Sequence, residues 1–192
     1  WQSYWLDVLL TADNLFAQTA GKIAYAQMDE PLKAVIIQEM AILKDIVWGG
    51  MPQTNTTVVH WLKHYQNKEK WGSPLFIRMR DELTPVFWQL KPVAMAEKLA
   101  DAYHVLGWGQ LARFSSFRWE NGLQGIKYVD PICLDQLIGY EAQKQTIKAN
   151  TEALLGSNRP NNILLYGERG TGKSSMVKAI GNLYAEKGLK IV

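Results

Sequence analysis

Eight residues near the C-terminal end of the sequence, Gly167-Glu168-Arg169-Gly170-Thr171-Gly172-Lys173-Ser174, constrain the fold more than any other stretch. They match the phosphate-binding pattern G-x-x-x-x-G-K-[ST] in full. Each position has a physical reason. Glycines let the backbone turn at positive φ and approach phosphate oxygens closely. The N–H groups of Gly170, Thr171, Gly172 and Lys173 can form an anion nest. A helix opening at Lys173 adds unpaired N–H groups and a positive dipole end. Lys173 would reach the β- and γ-phosphates as a point charge, Ser174 would offer its hydroxyl to Mg²⁺, and Ser175 would touch the α-phosphate. Glu168 and Arg169 fill variable positions of the loop and complete the nucleotide-contacting run. Such a loop needs a strand before it and a helix after it. Asn162-Ile163-Leu164-Leu165-Tyr166 reads as a short buried-type strand, and Lys173–Lys187 as a helix closed by Gly188. With glycine near 7% of average usage, a chance match in a chain this long is on the order of one in a hundred.

The remainder of the sequence changes character near Gly107. The first hundred residues read as helices joined by short loops, hence a bundle. Asp13 is expected to cap a helix running through Phe16, Ile23 and Met28. Asp29-Glu30-Pro31 starts a second, ended by Gly49-Gly50. A third is expected around Thr57–Gln66. Ser73-Pro74 opens a helix through Phe76, Leu83 and Leu90, and Pro92 another ending at Gly107. Ala112–Trp119 is then strand-like, and Asn121-Gly122 is a hairpin dipeptide. Ile126–Leu134 is extended, Tyr140–Leu155 is a helix stopped by Gly156, and Leu189–Val192 begins a further strand. The expected organisation is a helical domain over 1–110, an extended or hairpin connector over 111–134, and the start of an α/β nucleotide-binding domain over 135–192.

Composition narrows the class. Of the 192 residues, 47% are apolar and 20% charged, as in soluble globular proteins. Eight Trp, eight Tyr and five Phe exclude a disordered chain. Most of these tryptophans are expected in the core. The one cysteine, Cys133, excludes a disulfide scaffold, fits a reducing compartment, and is expected as a buried structural thiol. No apolar run is long enough for a membrane-spanning helix, and the opening WQSYWLDVLLTADNLF lacks a basic leader, so a cytoplasmic location is expected. The missing initiator Met and the strand-like ending suggest a fragment.

The net charge of +3 is too small to imply a nucleic-acid partner by itself. Lys63, Lys68, Lys70, Arg78 and Arg80 interleave with Tyr65, Trp71 and Phe76, a mixture that can bind nucleic acid by charge and stacking. Glu69, Asp81 and Glu82 dilute it, so a solvated helix face is the simpler expectation. His60 and His64 are four apart, but no third ligand accompanies them, and an ordinary helix surface outweighs a metal site.

The stretch Asn162 to Ser175 resembles the Walker A region of AAA+ ATPases. Upstream, Asp135-Gln136-Leu137-Ile138-Gly139 is similar to the segment that precedes the first helix of that fold. The resemblance implies that Ile138 and Gly139 contact adenine. The wider pattern, Phe117-Arg118-Trp119, Asp130-Pro131-Ile132, Leu137 to Lys144, Asn150-Thr151-Glu152 and Asn161-Asn162, is similar to the bacterial ATP-binding family DUF815 over about residues 112–192. That family implies ATP and Mg²⁺ as ligands, self-association through the ATPase domain, and hydrolysis coupled to remodelling or loading of a protein partner. The acidic Walker B, the sensor and the partner-subunit arginine of AAA+ proteins follow Walker A in chain order, beyond the 18 residues after Ser174. This stretch alone is therefore expected to be inactive, with no catalytic residue of its own. Two other readings stay open: another P-loop class such as a kinase, and a nucleotide-gated interaction module without turnover.

Overall fold

The computed structural model describes residues 2–49, 72–156 and 158–192. The helix expected around Thr57–Gln66, with His60, His64, Lys63, Tyr65, Lys68, Lys70 and Trp71, lies outside the described residues. Two compact units are present. One comprises Trp1–Gly72 and Phe76–Arg113, the other Ser73–Leu75 and Phe114–Val192.

The first unit is helical. Its elements are α1 (Gln2–Leu10), α2 (Leu15–Ala20), α3 (Glu30–Trp48), α4 (Pro74–Leu83, from Phe76 on), α5 (Pro92–Leu106) and α6 (Gly109–Arg113). Helix α5 is the hub. Pro92 sits in its first turn, where a missing N–H costs nothing, and Gly107 ends it at φ 83°. Met95, Ala96, Leu99, Ala100, Tyr103 and Leu106 recur at helical spacing and are buried against α1, α2 and α3. Tyr103 donates its hydroxyl to the Leu9 carbonyl and meets Phe16 edge-on, with ring centres 6.0 Å apart. Burial raises its phenol above the ordinary range. Tryptophan N–H groups tie further pieces together: Trp88 donates to the Gln2 carbonyl at 3.1 Å and Trp48 to the Trp88 carbonyl at 2.9 Å.

Several helix limits differ from expectation, each for a local reason. Asn14 caps α2, accepting from the Ala17 N–H at 2.9 Å, while the Asp13 carboxylate takes the Gln18 side-chain amide instead. Helix α2 stops at Ala20, and a short 3₁₀ turn occupies Tyr25–Gln27. Helix α4 stops at Leu83 because Pro85 disfavours helical geometry at Thr84; a 3₁₀ turn follows at Phe87–Gln89. Of the residues read as a solvated basic face, Arg78 is exposed, but Arg80 and Phe76 are buried. Arg80 faces the buried Asp7 carboxylate at 3.8 Å, Arg113 approaches the same carboxylate at 3.9 Å, and the Arg113 guanidinium lies over the Phe76 ring. Among the described tryptophans, Trp88 alone is fully buried; Trp48 and Trp119 are exposed.

The second unit has an antiparallel hairpin, β1 (Phe117–Trp119) with β2 (Leu123–Gly125), in the register Phe117 to Gly125 and Trp119 to Leu123. Asn121 and Gly122 turn it at φ 53° and 136°. Two helices follow: α7 (Glu141–Leu155) and α8 (Lys173–Tyr184). They are joined by the bond from the Tyr184 hydroxyl to the Glu152 carboxylate at 2.7 Å. Burial, helped by that carboxylate, pushes the phenol up to about 12.

The strands expected at Asn162–Tyr166 and Leu189–Val192 do not pair with each other among the described residues. Asn162–Tyr166 runs extended without a strand partner, and Tyr166 is 88% exposed. A parallel strand needs a neighbour along its edge. The segment that would supply one pairs elsewhere: Ile191 makes a parallel bridge to Ser116, through Phe117 N–H to Ile191 O at 2.8 Å and Ile191 N–H to Ser115 O at 2.9 Å. Gly181 on α8 makes room for this, because a Cβ there would sit 1.9 Å from the Ile191 side chain. Cys133 is exposed, not buried. It opens a 3₁₀ turn over Leu134–Gln136, where its N–H donates to the Gln136 side chain at 2.8 Å, and the turn carries its thiol to the surface.

Two measurements check these packings. Leu99→Ala is expected to cost about 2–5 kcal/mol in urea denaturation, whereas Val105→Ala on the exposed face of α5 should stay within about 0.5 kcal/mol. Equal losses would contradict the assigned stripe. Lys190 lies in the second unit, its ammonium lowered to about 8 by burial, with Nζ donating to the Phe114 carbonyl at 3.3 Å. Below pH 8 folded and unfolded chains both hold this proton and the burial penalty is fully present. Between about 8 and 10.5 the unfolded chain binds more protons, so stability rises with pH. Lys190→Met should remove that rise when Tm is followed against pH for both proteins; superimposable pH profiles would refute the assignment.

Candidate functional site

The glycine loop opens α8. Gly167, Gly170 and Gly172 take φ values of 138°, 86° and 77°, the left-handed region that side chains with a Cβ rarely adopt. A Cβ at Gly170 or Gly172 would meet nothing within 4 Å, so these positions require glycine for backbone conformation and not for packing. Gly172 stands at the N-cap of α8, and its carbonyl accepts from Met176 N–H at 2.8 Å.

Lys173 turns its ammonium back across the loop. Its three donors reach the Gly167 carbonyl at 3.0 Å, the Glu168 carbonyl at 2.6 Å and the Thr171 hydroxyl at 3.2 Å. The Thr171 hydroxyl itself donates to the Glu168 carbonyl at 2.9 Å. The loop is therefore braced on its carbonyl side by the residue that follows it. Glu168, Arg169 and Ser174 are exposed, and Ser175 is half-buried in the first turn of α8.

Residues thirty positions upstream border the same space. A hollow of about 320 Å³ is lined by Gln136, Ile138 and Tyr140 on one side and by Gly170, Thr171 and Gly172 on the other. Ile138 is 95% exposed, at its rim. Gly139, at φ 81°, does not line it but turns the chain between two residues that do. A second hollow, of about 130 Å³, brings Tyr140, Gln143 and Met176 together with Thr171 and Lys173. Tyr140, Thr171, Gly172 and Met176 border both.

Sequence reasoning passed over Tyr140 and Met176. Tyr140 has φ 61°, a left-handed conformation unusual for an aromatic residue, and it heads α7. Its position directly after a glycine and before a helix was the available signal. Met176 is the third residue after Lys173, so one turn of α8 carries it under the loop. Among the described residues no group of three or more His, Cys, Asp or Glu side chains could hold a metal ion, and no helix is long and apolar enough to cross a membrane.

Comparison with known proteins gives two matches to part of the chain. A stretch of 46 residues, 24% of this chain, is 44% identical to the ORC1-type DNA replication protein 14 of Haloarcula marismortui. The match spans 11% of that protein's length. No solved structure matches. Residues 112–192, which contain the hairpin, the Gln136–Tyr140 segment and the glycine loop, match the family described as Protein of unknown function (DUF815).

Proposed function

We propose that residues 135–192 form part of a nucleotide-binding domain of AAA+ type, and that the intact protein couples Mg-ATP binding and hydrolysis to remodelling or loading of a partner. The observation that carries the reading is one hollow bordered by two segments far apart in sequence: left-handed glycines at the start of α8 and the Gln136–Tyr140 stretch before α7. A loop of this composition suits a polyanion, and the apolar Ile138 with the Tyr140 ring suits a flat base. The ORC1-type relative supports an AAA+ relation.

The donor set fits the phosphates. The N–H groups of Gly170–Lys173 and the Lys173 ammonium would hold them, once the ammonium exchanges its loop carbonyls for phosphate oxygens. Ser174 would hold Mg²⁺, which supplies charge neutralisation of the phosphate chain. Ile138 and Gly139 would lie on the base side. The helical residues 1–110 would face the partner, with 111–134 as connector.

The test is Mg-ATP binding and turnover by the intact protein beside Lys173→Ala. Loss of both in the variant, by tenfold or more, is the expected result, since charge-assisted contacts to phosphate are among the stronger hydrogen bonds. Binding without turnover in the wild type would favour a nucleotide-gated module. No binding in the wild type would remove the reading.

A further inference from the structure

Lys144 lies one turn into α7, and only 7% of it is exposed. An ammonium taken out of water must be repaid by partners close at hand. Its partners are specific: Nζ donates to the Leu137 carbonyl and to the Glu141 carboxylate, the latter at 2.7 Å. The same residue's backbone N–H donates to the Tyr140 carbonyl at 2.9 Å. That backbone bond is the first of α7 and any residue would make it; what the lysine side chain adds is the hold on Leu137, seven residues back. Between the held Leu137 carbonyl and the start of α7 the backbone takes two consecutive left-handed residues, Gly139 and Tyr140. Such conformations persist where the surroundings over-determine them.

We infer that Lys144 is the positioning residue for the base side of the cleft: its side-chain hydrogen bond to the Leu137 carbonyl, with Glu141 as counter-charge, holds Ile138 and Tyr140 in the conformation that faces the glycine loop. The inference rests on the nucleotide reading of that cleft. It assigns Lys144 no contact with ligand. It separates two halves of recognition, because the phosphate side is built by the loop and α8, which Lys144 does not hydrogen-bond in this way.

The experiment compares ATP with inorganic tripolyphosphate, a ligand without a base, by calorimetric titration of the whole chain. Lys144→Met should weaken ATP about tenfold while tripolyphosphate stays within twofold of wild type. Lys144→Arg, which keeps a donor cation, should retain most of the ATP affinity. Unchanged ATP binding in Lys144→Met would overturn the inference. So would parallel loss of both probes, which would make Lys144 a general support of the fold. If the wild type binds tripolyphosphate and ATP equally, the base side contributes nothing and the inference fails while an anion-binding loop stands. If it binds neither, the nucleotide reading falls, and the inference with it.

Discussion

Side chains on α7, on α8 and just after it hydrogen-bond the backbone of the long extended stretches of the second unit. An extended segment without a strand neighbour has no partner for its backbone groups within itself, so side chains that bond them fix its course. Asn150 accepts from the Asn161 N–H and donates to the Asn161 carbonyl, both at 2.7 Å, as a strand neighbour would. Asn182 donates to the carbonyls of Asp130 at 2.7 Å and Ile132 at 2.9 Å. Lys144 serves Leu137, Lys173 serves the glycine loop, and Lys190 serves Phe114. Two of these tethers act at the cleft: Lys144 holds Leu137 in the 136–140 segment, and Lys173 holds Gly167, Glu168 and Thr171 of the loop.

The first unit is held differently. Its helices satisfy their own backbones, and an apolar stripe on α5 gathers them. The polar exception is the Asp7 carboxylate with Arg80 and Arg113, three charges with little access to water. Arg80 is held as well by the Asp81 carboxylate at 2.8 Å, so the group is a network in which removing the central Asp7 takes a counter-charge from both arginines. The two units thus differ in what they tolerate: apolar volume governs one, and individual hydrogen bonds govern much of the other.

Periodicity made α3 and α5 readable, because Pro31 and Pro92 mark their starts and Gly49 and Gly107 their ends. The Asn121-Gly122 hairpin was readable for the same local reason. The loop was visible as a pattern of glycines, and its left-handed geometry follows from that residue type. What was not readable depends on partners distant in sequence. An apolar run such as Ile163–Tyr166 becomes a strand only if another segment lies along it, and Ile191 bonds to Ser115 and Phe117 instead. Arg80 looked like a surface cation because Asp7, its counter-charge, is more than seventy positions away. For Tyr140 the local signal, a residue between Gly139 and a helix start, was present, but the loop residues it faces lie thirty positions away.

The surface position of Cys133 has a practical side. The chain holds a single thiol, and it stands in solvent on the turn leading into Gln136–Tyr140. A maleimide dye or nitroxide would therefore attach at one defined place, a few residues from the rim of the cleft, without any engineered cysteine. Its emission or spin mobility would report on the surroundings of that turn, from a single attachment point.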